Sequence, residues 1–197
     1  MMKNYDLDKI LKPAFKLFLT NNYESVSTPK LEAESGLTRG ALFYKYKSKE
    51  ALFRAVVDRD ILDFLSQDVS STHHLTLKDY IDTFLLALSV RMDSMKSFGI
   101  DNVHRGFFNL MYEALKYYTD FGQKISTFFE DSLERWTEVV QQALDSGEIE
   151  SKSQAKEIAR RLQHLYTGMA FEQSLQNGLD FEQLRKAYYA YYKTLVK

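Results

Sequence analysis

The chain has 197 residues, a formal net charge of −1, no cysteine, two prolines and eight glycines. That length suits one or two small domains with a real core, and the missing cysteines exclude a disulfide framework, a thiolate nucleophile and a Cys-based zinc site. No charged-then-apolar secretion signal and no bilayer-length apolar run is present, so a cytoplasmic protein without a membrane role is expected. Scarce Gly and Pro together with long helix-period patterns predict an all-α chain.

Residues 7–21 carry an apolar stripe at Leu7, Ile10, Leu11, Ala14, Phe15 and Phe18, the i, i+3, i+4 spacing of a helix with one buried face. Pro13 lies within it and marks either a late helix start or a kink, because proline lacks the N–H for the preceding turn. Residues 27–54, STPKLEAESGLTRGALFYKYKSKEALFR, then read as two short helices and the start of a third. Thr28 is the expected first cap, with Pro29 at the first helical position and Gly36 as the stop. Thr38 caps the next helix after only Gly36-Leu37, and Ser48 caps the one after that. Two helices joined by so short a Gly-containing turn make a helix-turn-helix, whose second helix enters the DNA major groove. Charge agrees: residues 1–54 carry ten Lys or Arg against six Asp or Glu, net +4, leaving −5 for the remainder. Positive charge thus gathers where phosphates would be faced, although a basic helix face alone is more often merely solvated.

This stretch resembles the TetR-type transcriptional regulators. The resemblance rests on Ile10–Phe18, Ser27-Thr28, Leu31, Gly36-Leu37-Thr38, Gly40-Ala41-Leu42-Phe43-Tyr44-Lys45-Tyr46 and Ser48-Lys49-Glu50-Ala51-Leu52, about a quarter of the chain. It departs from the family pattern at Phe43, usually Tyr, and at Glu32, usually a small Ala between helices. The implied architecture is an N-terminal three-helix helix-turn-helix DNA-binding domain at 1–48, followed by a helical effector-binding and dimerisation domain at 49–197. Position by position, the resemblance carries DNA contact onto Thr28, Thr38, Arg39, Gly40, Tyr44, Lys45 and Lys49. Of these, Thr28, Thr38, Lys45 and Lys49 are expected at phosphates and Arg39 at a guanine edge; Gly40 permits close approach, and Tyr44 meets phosphate or a thymine methyl. Leu31, Leu37, Leu42, Phe43 and Tyr46 are expected in the core of the small domain.

Further helices are expected at 49–67, 76–96, 102–118, 122–145, 153–176 and 180–196, with a polar loop at 68–75 and stops at Ser146-Gly147 and Asn177-Gly178. The region 76–176 is rich in aromatics. Phe84, Phe107, Phe108, Tyr112, Trp136 and Tyr166 are candidates to line a cavity for an apolar or aromatic small molecule, as are Phe98, Phe128, Phe129 and Phe171, with His104, Asn109 or His164 as the orienting polar group. Aromatics at helical spacing more often simply form core.

The last helix is apolar on two faces, with Phe181, Leu184, Tyr188, Tyr191 and Leu195 on one and Tyr189, Tyr192 and Val196 on the other. Two apolar faces need two burial partners: the chain's own body and either more of that body or a second copy. The resemblance implies a homodimer through the two C-terminal helices, which puts Leu162, Leu165, Tyr188, Tyr189, Tyr191, Tyr192 and Leu195 at the expected interface.

Catalytic motifs are weak. Ser27-Thr28-Pro29-Lys30 matches Ser-x-x-Lys but has no companion motifs and sits in a helix cap, and the adjacent His73 and His74 have no third ligand nearby. Glu130, Asp131 and Glu134 beside Arg135 read as a solvated face. No enzyme activity, metal or cofactor is expected. The reading is a ligand-responsive repressor that binds a palindromic DNA operator as a dimer and is released by a small molecule. Two alternatives stand: the same fold controlled by a protein partner, or a helical adaptor that has lost operator binding.

Overall fold

The computed structural model describes residues 7–63, 76–96 and 99–196. The expected loop at 68–75, the end of the helix expected to reach residue 67, His73, His74 and Phe98 lie outside the described residues. Among those described, every regular element is helical and no strand occurs. The chain divides into two compact units: Met1–Ser66 with Gly106–Ile125, and Gln67–Arg105 with Ser126–Lys197. The first therefore extends beyond the expected 1–48, because later helical residues pack onto the N-terminal helices.

The first unit is built on α1 (Asp8–Thr20), α2 (Thr28–Ser35), α3 (Arg39–Lys45) and α4 (Lys49–Val57). Pro13 sits inside α1 and neither delays its start nor ends it, so the helix accommodates one missing N–H in its second turn. Ile10, Leu11, Ala14, Phe15, Phe18 and Leu19 are buried, while Leu7 is exposed. Phe18 meets Phe53 of α4 edge-on at 5.0 Å, and Tyr23 meets Phe53 likewise at 4.9 Å. Leu31 and Leu42 complete this core; Leu37, Phe43 and Tyr46 are only half-buried. Each fully buried aliphatic or aromatic side chain contributes about 1.5–3 kcal/mol, enough to hold three short helices that would not persist alone.

Local chemistry sets the helix ends. Ser27, one residue earlier than expected, is the extended residue before α2; Thr28 is already helical. Gly36 ends α2 at φ 67°, where a Cβ would be strained. Thr38 Oγ1 accepts the Ala41 N–H at 3.3 Å, and Ser48 Oγ accepts the Ala51 N–H at 3.1 Å. The α-helical part of α4 is shorter than expected: from Asp58 to Asp63 it widens into a π-helical segment, with Arg59 paired to Asp60 at 2.8 Å and to Asp8 at 3.2 Å.

The second unit contains α5 (Leu77–Lys96), the first residues of α6 (Val103–Tyr117), most of α7 (Phe121–Asp145), α8 (Ala155–Ser174) and α9 (Phe181–Lys193). Thr76 caps α5 by accepting the Asp79 N–H and donating to its carboxylate. Glu148 completes that cap, accepting the N–H groups of Leu77 and Lys78 and the Tyr192 hydroxyl. Asn102 and Asp180 cap α6 and α9. The core is formed by Tyr80, Ile81 and Leu85 of α5, Trp136, Val139 and Val140 of α7, Ile158 and Leu162 of α8, and Leu184 and Tyr188 of α9.

Leu162, Tyr188 and Leu195, expected at a dimer contact, are instead buried in this core, with Tyr188 donating its hydroxyl to the Leu162 carbonyl at 2.8 Å. Leu162 and Tyr188 are fully buried, and Leu195 is nearly so. Leu165, Tyr189, Tyr191 and Tyr192 are half-buried; Tyr189 donates to Asp82 at 2.6 Å, and the other three pack on the core. Both apolar faces of α9 are therefore largely satisfied within the chain.

Candidate nucleic-acid interface and aromatic cluster

Thr38, Arg39, Gly40, Tyr44 and Lys45 are all exposed on α3 or at its cap, Tyr44 at 68%. Leu42 points the opposite way into the core, so one short helix presents a polar, basic face and anchors itself by an apolar one. Gly40 leaves open backbone: a Cβ there would meet only Thr38 Oγ1, at 3.9 Å. Lys47 stands beside this face, its ammonium donating to the Tyr44 carbonyl at 3.4 Å and lying 5.9 Å from the Tyr44 ring. It was legible in the sequence only as part of the local charge.

Thr28 is half-buried at the start of α2. Lys49 is also half-buried; its ammonium donates to the Tyr23 carbonyl at 3.1 Å and lies 4.1 Å from the centre of the Tyr23 ring. Glu32 has a role that sequence reasoning missed. Its carboxylate accepts the Arg39 N–H at 2.5 Å and so ties α2 to the start of α3. Only the turn that brings the two helices together makes this pairing visible.

The aromatic positions separate into two groups. In the second unit, Phe84 meets Trp136 at 5.5 Å and Tyr166 at 5.6 Å, both edge-on, and His104 Nε2 lies 3.1 Å from the Tyr166 hydroxyl. Burial holds His104 down at about 4, so its imidazole is neutral at ordinary pH. Tyr80 and Tyr188, not among the expected lining residues, belong to the same cluster through Trp136 and Phe84.

Phe107, Phe108 and Tyr112 fall instead in the first unit, so the expected seven-residue lining is not one site there or in the second. Phe107 packs beside Phe15 at 6.0 Å, and Tyr112 is 57% exposed. The boundary between the units falls within α6, between Arg105 and Gly106, so Phe107 is grouped with Phe15 although it lies only three residues from His104. His164 is exposed and Asn109 falls in the first unit, which leaves His104 as the polar group of the cluster.

Glu130, Asp131, Glu134, Glu138 and Lys156 are among the residues that line an open groove of about 930 Å³. Among the described residues no three His, Asp or Glu side chains converge as metal ligands, and no helix is long and apolar enough to cross a membrane.

A capped, Gly-turned helix pair with an exposed basic face, carried in an otherwise all-helical chain, defines a helix-turn-helix protein. Residues 10–56 match the family described as bacterial regulatory proteins, tetR family. Over its whole length the chain has the fold of solved TetR-type regulators. The HTH-type transcriptional repressor ComR of Escherichia coli (strain K12) is 38% identical over 65 residues, 33% of this chain and 31% of that protein. The chain spans about a third to a half of the length of the curated relatives it matches. Among solved structures, a TetR transcription regulator from Haloarcula marismortui superposes with a TM-score of 0.74 at 16% identity, covering 96% of this chain and 97% of that one. A transcriptional regulator from Saccharomonospora viridis in complex with choline gives 0.71 at 14% identity, covering 96% of each chain.

Proposed function

We propose that this chain is a cytoplasmic, ligand-responsive transcriptional repressor that binds a palindromic operator as a homodimer and is released by a small molecule. The observation that carries this reading is the exposed row Thr38, Arg39, Gly40, Tyr44 and Lys45 on the second helix of a TetR-type head. A two-fold dimer would set two such helices into half-sites about 34 Å apart or a little more. In this reading Lys45, Lys49, Thr28 and Thr38 meet phosphates, which position the head without specifying sequence. Arg39 and Tyr44 reach phosphate or base edges, and Gly40 lets the backbone approach. Residues 1–48, with Lys49 at the boundary, do the DNA reading, and the rest of 49–197 serves sensing and assembly.

For the effector we take the cluster of Phe84, Trp136 and Tyr166, with neutral His104 and the Tyr166 hydroxyl supplying directional hydrogen bonds. The choline-bound neighbour supports a small molecule as the occupant of this fold. An uncharged aromatic or apolar molecule suits a cluster built of rings, a neutral imidazole and a hydroxyl. Release requires that the ligand bind the non-DNA-competent state more tightly, shifting the population through α4.

For the second copy we take the face of α8 bearing Gly168 and Phe171, together with Leu175 just past its end. Phe171 and Leu175 are 46% and 69% exposed, and nothing lies within 4 Å of a Cβ built on Gly168. Leu175→Lys should then shift sedimentation from dimer to monomer, whereas removal of residues 180–197 would strip Leu184 and Tyr188 from the core and unfold the second unit.

The decisive experiment is selection of random duplex DNA on the purified protein at moderate salt, followed by sequencing of what is retained. An enriched palindrome supports the operator-reading dimer and supplies the probe for ligand-induced release. A folded dimer that enriches nothing, with or without candidate ligands, refutes it.

A further inference from the structure

In the first unit a buried carboxylate from a distant part of the chain holds the start of the short 3-10 helix Tyr23–Ser25. Glu113 of α6 is 6% exposed; its Oε2 accepts the Tyr23 N–H at 2.8 Å, and its Oε1 accepts the Lys116 ammonium at 3.0 Å. A carboxylate is retained in such a place only with its oxygens satisfied, and here the main-chain partner is a single residue between α1 and α2. Tyr117, one turn further along α6, holds the same segment from the side. Its ring stacks on Tyr23 at 4.2 Å and its hydroxyl donates to Glu24 at 2.8 Å. Gly106, earlier in α6, allows contact close enough that a Cβ would lie 2.6 Å from Leu19 Cγ. Tyr23, gripped by its N–H and its ring, in turn grips Lys49 by its carbonyl at 3.1 Å and by its ring face at 4.1 Å.

We propose that Glu113 is a positioning residue of the DNA interface: it fixes Tyr23, and Tyr23 holds the Lys49 ammonium in place for a phosphate. This rests on the DNA-binding reading given above. An ammonium has three donors, so the bond to Tyr23 leaves others for a phosphate oxygen. Free lysine side chains lose much rotamer entropy on being ordered, and a lysine held beforehand loses less on binding. Glu113 touches no DNA in this arrangement and acts through one peptide unit.

The test is a double-mutant cycle on binding to random-sequence duplex DNA, since phosphate contact does not depend on sequence. Glu113→Ala should weaken binding on the order of fivefold when Lys49 is present, and by less than about twofold in a Lys49→Ala background. Glu113→Gln, which keeps an oxygen for the Tyr23 N–H, should bind nearly as the unaltered protein does. Equal losses in both backgrounds overturn the proposal, because a merely structural carboxylate would weaken the head whatever stands at position 49.

A second readout needs no DNA and separates loss of folding from loss of positioning. In isotope-labelled protein, the Lys49 ammonium should show slow exchange and restricted motion, lost in Glu113→Ala and kept in Glu113→Gln. A mobile Lys49 in the unaltered protein also overturns the proposal. An ordered Lys49 in a protein that retains no duplex at all sinks the DNA-binding reading and the phosphate role with it. Retention with additive losses sinks only the role of Glu113.

Discussion

The Glu32 carboxylate accepts the Arg39 N–H at 2.5 Å, so a side chain of α2 closes the first turn of α3. Glu32 stands where TetR-type heads usually carry a small Ala, and this bond gives the larger residue a structural use. An unpaired helix-start N–H is costly, and loss of a side-chain cap typically removes about 0.5–2 kcal/mol. Glu32→Ala should lower the stability of the head by about 1 kcal/mol, read as a shift in denaturation midpoint, with Glu32→Gln close to the unaltered protein. An unchanged midpoint for the alanine variant would show that the bond contributes nothing.

His104 makes stability depend on pH in a defined window. Burial lowers it from 6.5 to about 4, so below pH 6.5 the unfolded chain binds a proton that the folded chain refuses. The contribution is complete above that pH, declines as the pH falls, and levels off below about 4, with a total of at most about 3 kcal/mol. Unfolding free energies at a series of pH values should therefore fall across this window more steeply than for His104→Gln. Parallel curves for the two proteins would place the acid sensitivity elsewhere.

Two glycines in helices predict opposite outcomes for the same substitution. A methyl on Gly106 would lie 2.6 Å from Leu19 Cγ and 3.2 Å from the Leu19 carbonyl oxygen, and backbone cannot move aside as a side-chain tip can. Gly106→Ala should lose about 1–2 kcal/mol, overpacking outweighing a helix-propensity gain of about 1 kcal/mol. Gly168→Ala meets nothing of its own chain within 4 Å and should keep that gain as a higher melting temperature in dilute, dissociated protein. At concentrations where the proposed dimer forms, a fall at position 168 is expected from the second copy lying against that face.

Lys45 is exposed on α3 and is assigned here to a phosphate. Lys45→Ala should weaken binding to all duplexes alike and flatten the log–log dependence of affinity on salt by about 0.9, the share of one phosphate. A slope equal to that of the unaltered protein would remove Lys45 from the phosphate contacts.

Much of the head was legible because its signals are local. Thr38 and Ser48 cap through an N–H three residues on, and Gly36 turns the chain at positive φ, so neighbouring residues in the sequence suffice to predict them. Ser27 in place of Thr28 at the start of α2 is the one-residue uncertainty that two adjacent hydroxyl residues create.

The sequence by itself determined the all-helical class, the helix-turn-helix and the basic face, because these depend on spacing and on chemistry within a turn or two. Only the tertiary structure decided which apolar residue meets which. A helical stripe shows that a face must be buried but not against what, so Tyr188 and Leu162, apt for a dimer contact, lie in their own core. The same holds for Phe107 and Tyr112, which periodicity could not separate from Phe84, His104, Trp136 and Tyr166. Glu32 with Arg39, and Glu113 with Tyr23 some ninety residues away, needed the fold as well, because a polar pairing between elements leaves no period in the chain.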